Sequence, residues 1–353
     1  MTARLRVAVP TAIEQVNPRS GVGTMWRHVL TGLAREVDLR AREPGGRRWG
    51  ARPDLWLSDC GFGALPVREP VVVQVHEAGW ADDEVRALME PEFLEVVLEG
   101  RVGDAVRAAV AIVTPSASSR QQAIDHWGVA PERVHAVPHG VDADLFRPGR
   151  HGGRGRVAAA GGTADVPYVL FVSQIHPRKN LAVLRAAMAE LAADGFPHQL
   201  VVVGGAAQDR PDSAELQREA AADLPGAPGR VVLLQDLPEE ALADVMAGAA
   251  AFCLPSLMEG FGLTALEAMS CGVPVVVSDR GSLPEVAGDA GLVVPPTVDA
   301  VAGALAEVLA DPGRAAELGA AARARALTFP WARTTAGWLG ALRTAAATEG
   351  RGA

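Results

Sequence analysis

The chain has 353 residues, with 33 lysines and arginines against 42 aspartates and glutamates, a formal net charge of −9, 49% hydrophobic residues and 21% charged ones. The length points to two domains rather than one, and the composition to sizeable packed cores rather than disorder. The acidic balance argues against general nucleic-acid binding, which needs a clustered basic face to neutralise phosphates. No run approaches ~18 uninterrupted apolar residues, and the amino terminus passes into a strand-like run without a signal-peptide cleavage pattern. The expectation is a cytoplasmic protein. Cys60, Cys253 and Cys271 are scattered without C-x-x-C spacing, which fits small buried side chains rather than a disulfide framework or a zinc site.

Short apolar runs alternate with helix-period stretches throughout, the pattern of an α/β protein with parallel sheets. Residues 5–10 read as a strand, followed by a loop carrying Ser20-Gly21-Val22-Gly23 and a helix over residues 24–35. Arg35, Arg40, Arg42, Arg47, Arg48 and Arg52 cluster with Glu36, Asp38 and Glu43 among them. Such a patch suits peripheral contact with an anionic inner membrane face or an acidic acceptor, and it also reads as a solvated loop. Residues 71–75 are a β-branched run broken only by Gln74, which places His76 at a strand's carboxyl end. A strand over 109–114, a helix over 118–126 and a strand over 134–137 continue the alternation. Ser116 and Ser118 read as helix caps, and His28, His126, His135, His151 and His198 as dispersed solvated or core residues.

From Arg147 to Gly162 glycine density rises without hydrophobic periodicity, which reads as an exposed linker and puts the domain boundary between residues 155 and 156. The pattern then restarts with a strand over 168–172. Leu181, Leu184, Met188 and Leu191 recur at helical spacing before Gly195 and Pro197. Further strands are expected over 200–203, 231–234, 250–254, 273–277 and 292–294. Two such halves leave a cleft, and ligands of these sheets lie beyond the carboxyl ends of the strands.

Lys179 is the single lysine of the chain, so arginine has replaced lysine everywhere else. A compact ammonium is not interchangeable with a guanidinium where space around a phosphate is tight. Lys179 and Arg178 lie in the first turn of an expected helix, where the dipole disfavours cations, so an anionic ligand explains them better than helix stability does. The stretch Glu259-Gly260-Phe261-Gly262-Leu263 follows a strand, permits a tight turn and opens a helix of good formers at Leu263. The unpartnered amides of such a helix start suit a phosphate. Glu259 and Glu267, as acceptors beside it, suit the vicinal hydroxyls of a sugar and a ribose. Asp142-Ala143-Asp144 is a short D-x-D sequence, too common to assign a metal, and no metal site is expected.

The block Glu259–Glu267 resembles the E-x7-E motif of the family 4 retaining glycosyltransferases. It continues in their manner as Gly272-Val273-Pro274-Val275, Pro284-Glu285-Val286 and Gly291-Leu292-Val293-Val294-Pro295. Pro177-Arg178-Lys179-Asn180, Pro138-His139-Gly140-Val141-Asp142 and Ser20-Gly21-Val22-Gly23 are similar to further segments of that family. The resemblance implies the GT-B arrangement: an acceptor-side Rossmann-like domain over residues 1–155, a nucleotide-sugar domain over 156–328, and a terminal segment over 329–353 crossing back to the first. It implies a nucleotide-diphosphate sugar donor, a hydroxyl acceptor in glycan, lipid or natural-product synthesis, and no cofactor or metal. Glu259 would contact the transferred sugar and Glu267 the ribose. Arg178 and Lys179 would hold the diphosphate, with Gly260, Phe261, Gly262 and Leu263 framing the donor site. Gly21 and Gly23 would let the first domain's loop close over the diphosphate, and His76 would lie near the reaction centre. Two departures stand out: Ser173-Gln174 occupies the place of a common Gly-Arg pair, and His139 that of a common asparagine. The Pro-Arg-Lys-Asn variant tilts the donor towards GDP-mannose ahead of a UDP-sugar.

Two other readings share the fold, a nucleotide-sugar epimerase and a non-catalytic nucleotide-sugar-binding protein. A dinucleotide-dependent oxidoreductase would need G-x-G-x-x-G at the first helix, and Gly21-Val22-Gly23-Thr24-Met25-Trp26 lacks its third glycine.

Overall fold

A computed structural model describes residues 4–17, 20–45, 52–79, 82–91, 93–205, 212–227 and 229–349. The chain divides into two compact units, one of residues 1–140 and 329–353, the other of residues 141–328.

The first unit is built on β1 (Arg6–Pro10), β2 (Asp38–Arg42), β3 (Leu55–Asp59), β4 (Val71–Gln74), β5 (Ala111–Thr114) and β6 (Val134–Ala136). They form one sheet in the order β2-β1-β3-β4-β5-β6, with every neighbouring pair parallel. β3 is buried along its whole length, as a strand covered on both faces must be. β2 is one of the two edge strands, and its charged side chains blunt an otherwise open edge. Part of the arginine cluster is therefore sheet rather than solvated loop, with Arg40 Nε donating to Asp38 Oδ1 at 2.9 Å. Arg47 and Arg48 of that cluster lie outside the described residues.

The helix Gly21–Leu33 begins three residues ahead of the sequence expectation, because the Ser20 hydroxyl accepts from the Gly23 amide at 3.0 Å and caps it. Met25, Trp26, Val29 and Leu33 recur at three or four residues and form its buried face. The helix Trp331–Glu349 packs there, with Trp26 and Trp338 ring centroids 5.8 Å apart.

The second unit carries β7 (Tyr168–Val172), β8 (Gln199–Val203), β9 (Val231–Leu234), β10 (Ala251–Leu254), β11 (Val275–Ser278) and β12 (Leu292–Val294). Their order is β12-β11-β10-β7-β8-β9, again all parallel. The winding reverses between β7 and β10, so the loops leaving the carboxyl ends of those two strands flank the position where doubly wound sheets bind ligands. β7, β8 and β10 are fully buried, in keeping with their unbroken apolar runs.

The glycine-rich stretch is not a linker. The division between units falls between Gly140 and Val141, and residues 147–162 belong to the second unit. The helix Gly153–Ala159 lies against Glu239–Ala247, with Gly153 so close to the Asp244 carbonyl that a side chain would overlap it. Arg150 fixes the approach through Nε to Asp244 Oδ1 at 2.9 Å and Nη2 to Glu240 Oε2 at 2.6 Å. Glycine there serves close helix packing, which a composition count cannot distinguish from flexibility. Asp142 Oδ1 accepts from the Asp144 and Leu145 amides at 3.1 and 3.0 Å, which is turn capping. Among the described residues no helix is long and apolar enough to cross a membrane.

Candidate active site

In the second unit, the turn Pro177–Lys179 follows β7, and His176 caps it by accepting from the Arg178 amide at Nδ1, 3.1 Å. The Arg178 carbonyl accepts from the Leu257 amide at 2.8 Å, which ties this turn to the loop after β10. Across that tie Lys179 Nζ donates to Glu259 Oε1 at 2.6 Å. Both side chains are buried, at 9% exposure each. Ser256 Oγ donates to the same oxygen at 2.8 Å. Burial pushes the Glu259 carboxyl up, but Lys179, Arg178 and the two hydrogen bonds outweigh it and hold it below the ordinary carboxylate value. Glu259 is thus ionised, with Oε1 held by two donors of the protein.

Its backbone is braced as well. The Glu259 carbonyl accepts from the Ser282 amide at 3.2 Å and the Ser282 hydroxyl at 3.1 Å. Three residues further on, Gly262 takes φ +89° and starts the helix Leu263–Ser270. A side chain at Gly262 would be strained and would meet Leu283 Cδ2 at 2.6 Å. No side chain caps this helix, whose amides and dipole at the carboxyl end of β10 suit an anion. Gly260 and Phe261 are buried in the turn, and Glu267 is buried on the helix's second turn. Arg178, Lys179 and Glu259 therefore come together, beside the helix start that carries Gly262, Leu263 and Glu267.

In the first unit, Gly21 and Gly23 form the first turn of the capped helix Gly21–Leu33. His76 lies two residues beyond β4, and its Nε2 is 2.7 Å from Asp59 Oδ2. Asp59 ends β3, and the same oxygen accepts from Trp26 Nε1 at 2.8 Å. Sequence reasoning missed Asp59 and Trp26. The available signal was the apolar run Leu55-Trp56-Leu57 leading into Asp59, a buried strand whose end had to share a sheet edge with His76. It also missed Ser256 and Ser282, which act only through contacts distant in sequence. Among the described residues no group of three or more histidine, cysteine, aspartate or glutamate side chains is placed to hold a metal ion.

Two doubly wound parallel sheets define a GT-B architecture, with a cation pair, a carboxylate and an uncapped helix start at the reversal point of the second. The Glycosyltransferase Family 4 description matches residues 46–145, and Glycosyl transferases group 1 matches residues 159–325. A D-inositol 3-phosphate glycosyltransferase of Acidothermus cellulolyticus is 36% identical over 251 residues, 69% of this chain and 55% of that protein. The chain thus spans little more than half the length of that relative. The MMP alpha-(1->4)-mannosyltransferase of Mycolicibacterium hassiacum is 32% identical over 309 residues, covering 82% of this chain and 70% of that one. Among solved structures, Anabaena HepE in complex with UDP and glucose superposes with a TM-score of 0.74 at 17% identity, over 96% of this chain and all of that one. The chain belongs to glycosyltransferase family 4.

Proposed function

We propose that this chain is a retaining hexosyltransferase that moves a sugar from a nucleoside diphosphate donor to a hydroxyl acceptor. The observation that carries the reading is the buried Lys179–Glu259 pair at 2.6 Å, set beside the uncapped helix start at Gly262. A diphosphate suits the helix amides together with Arg178 and Lys179, which supply the positive charge that a divalent metal would otherwise bring. The ionised Glu259 accepts from hydroxyls of the transferred sugar, and Glu267 from the ribose. Gly21 and Gly23 serve the diphosphate and His76 the transferred sugar, as in the family resemblance. As the bond from the anomeric carbon to the leaving phosphate breaks, its electron pair goes to the phosphate oxygen. That oxygen takes the acceptor proton while the acceptor oxygen bonds to the same face of the sugar.

GDP-mannose is the favoured donor, supported by the Pro177-Arg178-Lys179-Asn180 sequence and the mannosyltransferase relative. A UDP-sugar is the second reading, favoured by the fold's likeness to a protein solved with UDP and glucose. The test is a thermal-shift panel of UDP, GDP, dTDP, ADP and their common sugars, with and without EDTA, since a ligand of the folded state alone raises its melting temperature. A selective, EDTA-insensitive shift with one nucleotide supports the reading and names the base. No shift with any of them, or a strong shift with NAD only, overturns it.

A further inference from the structure

The Asp59 carboxylate gathers three donors. Oδ1 accepts from the Gly61 amide at 2.9 Å, and Oδ2 accepts from Trp26 Nε1 at 2.8 Å and meets His76 Nε2 at 2.7 Å. Asp59 is 7% exposed and Trp26 2%. We infer that Asp59, oriented by Trp26, is a positioning residue that fixes which ring nitrogen of His76 faces the substrate, an inference that rests on the role proposed for His76 above.

An ionised carboxylate accepts and cannot donate, so the proton shared with Asp59 sits on His76 Nε2. Nδ1 is then the ring atom left for the substrate. The indole N–H only donates, so it marks Oδ2 as an acceptor at all times and cannot reverse roles with the imidazole. Trp26 is itself held against Trp338 with a ring centroid distance of 5.8 Å. With Gly61 on the other oxygen, the carboxylate cannot turn without breaking a buried hydrogen bond.

The charged and titratable groups around the His76 ring come from several elements: Asp59 at the end of β3, Cys60 beside it, Glu77 next in the chain, and His139 after β6. Burial disfavours the imidazolium, but Asp59 and then Glu77 outweigh it and raise the His76 pKa. Burial, followed by the neighbouring His76, pushes His139 down to about 3, so His139 stays neutral and adds no competing charge. The thiol of Cys60 is raised by burial and by Asp59 and stays protonated. The imidazolium therefore presents an Nδ1–H that donates to a substrate oxygen, and deprotonation above its pKa turns that donor into a lone pair.

The test uses the full chain labelled with 15N-histidine, with long-range proton–nitrogen spectra across a pH titration and the His76 signals identified by their loss in His76→Gln. In the wild type Nε2 stays protonated throughout, and the titration midpoint lies above that of ordinary histidine. Asp59→Asn keeps the shape but removes the charge, and is expected to lower the midpoint by about one pH unit. Trp26→Phe keeps the carboxylate and removes only its orienting donor, so it carries the test if Asp59→Asn fails to fold. Its expected result is a mixture of Nε2 and Nδ1 tautomers. In both variants acceptor-free release of GDP from GDP-mannose, or of UDP from UDP-glucose, is expected to fall roughly tenfold in kcat with the donor KM unchanged.

A His76 midpoint and tautomer identical to wild type in the folded variants overturns the inference. So does a changed tautomer with undiminished kcat. The spectra need no turnover, so a chain whose melting temperature none of the nucleotides shifts refutes the transferase reading while the spectra still decide the Asp59–His76 link.

Discussion

Lys179 Nζ and Glu259 Oε1 lie 2.6 Å apart although 80 residues separate them, and both are buried. Each group's charge is tolerable only because of the other, so removing one partner leaves an uncompensated buried charge. Glu259→Ala is expected to destabilise the protein by about 3–5 kcal/mol and Lys179→Met by a similar amount, with the double variant recovering a large part of the loss. Urea denaturation of the four proteins of the cycle measures this. Additive losses would show that the pair does not interact. Glu259→Ala should also lose turnover while the donor's thermal shift persists, and unchanged turnover would remove Glu259 from the chemistry.

The two site carboxyls and His76 respond to pH in opposite directions. Glu259 and Asp59 have folded pKa values held below the ordinary carboxylate range, so their stabilisation is present above about pH 4.3 and fades as pH falls through the folded values. The folded pKa of His76 is raised, so its stabilisation is complete below about pH 6.5 and is lost as pH rises through the folded value. The stability penalty of His76→Gln is therefore expected to be larger at about pH 5.5 than at about pH 9. Denaturation midpoints at the two pH values check it, and a penalty that grows with pH would reverse the assigned sign.

Gly281 carries no functional group, yet it governs where Glu259 sits. It adopts φ +58°, and a Cβ there would lie 2.5 Å from the Glu259 carbonyl oxygen and 2.9 Å from its nitrogen. Gly281→Ala is expected to cost about 1–2 kcal/mol in backbone strain and to displace Glu259, lowering turnover by roughly 100-fold. Gly195→Ala is the matched control: φ is +89° but open space surrounds it, so it reports strain alone. Equal activity in the two variants would show that Glu259 tolerates the displacement.

The candidate sites were legible in the sequence to the extent that local pattern determines them. Arg178, Lys179 and the Glu259–Leu263 turn each sit where a strand passes into a helix, and both the periodicity and the glycines mark those places. The Lys179–Glu259 pair was not legible, because only the parallel pairing of β7 with β10 brings the two loops together. Asp59 was missed for a related reason: its partners Trp26 and His76 are 33 and 17 residues away, and nothing local marks a strand-end aspartate as shared. The boundary was misplaced because Gly153 and its neighbours follow the composition of a linker while serving as a helix contact surface.

The helix Trp331–Glu349 reaches His76 through two aromatic rings and a carboxylate, so its packing bears on the His76 ring as well as on stability. Trp338 is fully buried against Trp26 at 5.8 Å with the rings tilted by 45°, and Thr334 Oγ1 donates to the Pro138 carbonyl at 2.8 Å at the start of the same helix. Trp338→Ala is expected to cost about 3–5 kcal/mol, because the emptied volume lies in the first unit's core and cannot collapse fully. It also removes the ring that packs against Trp26, so the His76 spectra should move towards those of Trp26→Phe. Trp338→Phe keeps a ring in place and should lose less stability with little spectral change. Full destabilisation with His76 spectra unmoved would separate the two effects and show that Asp59 alone is enough to hold Trp26.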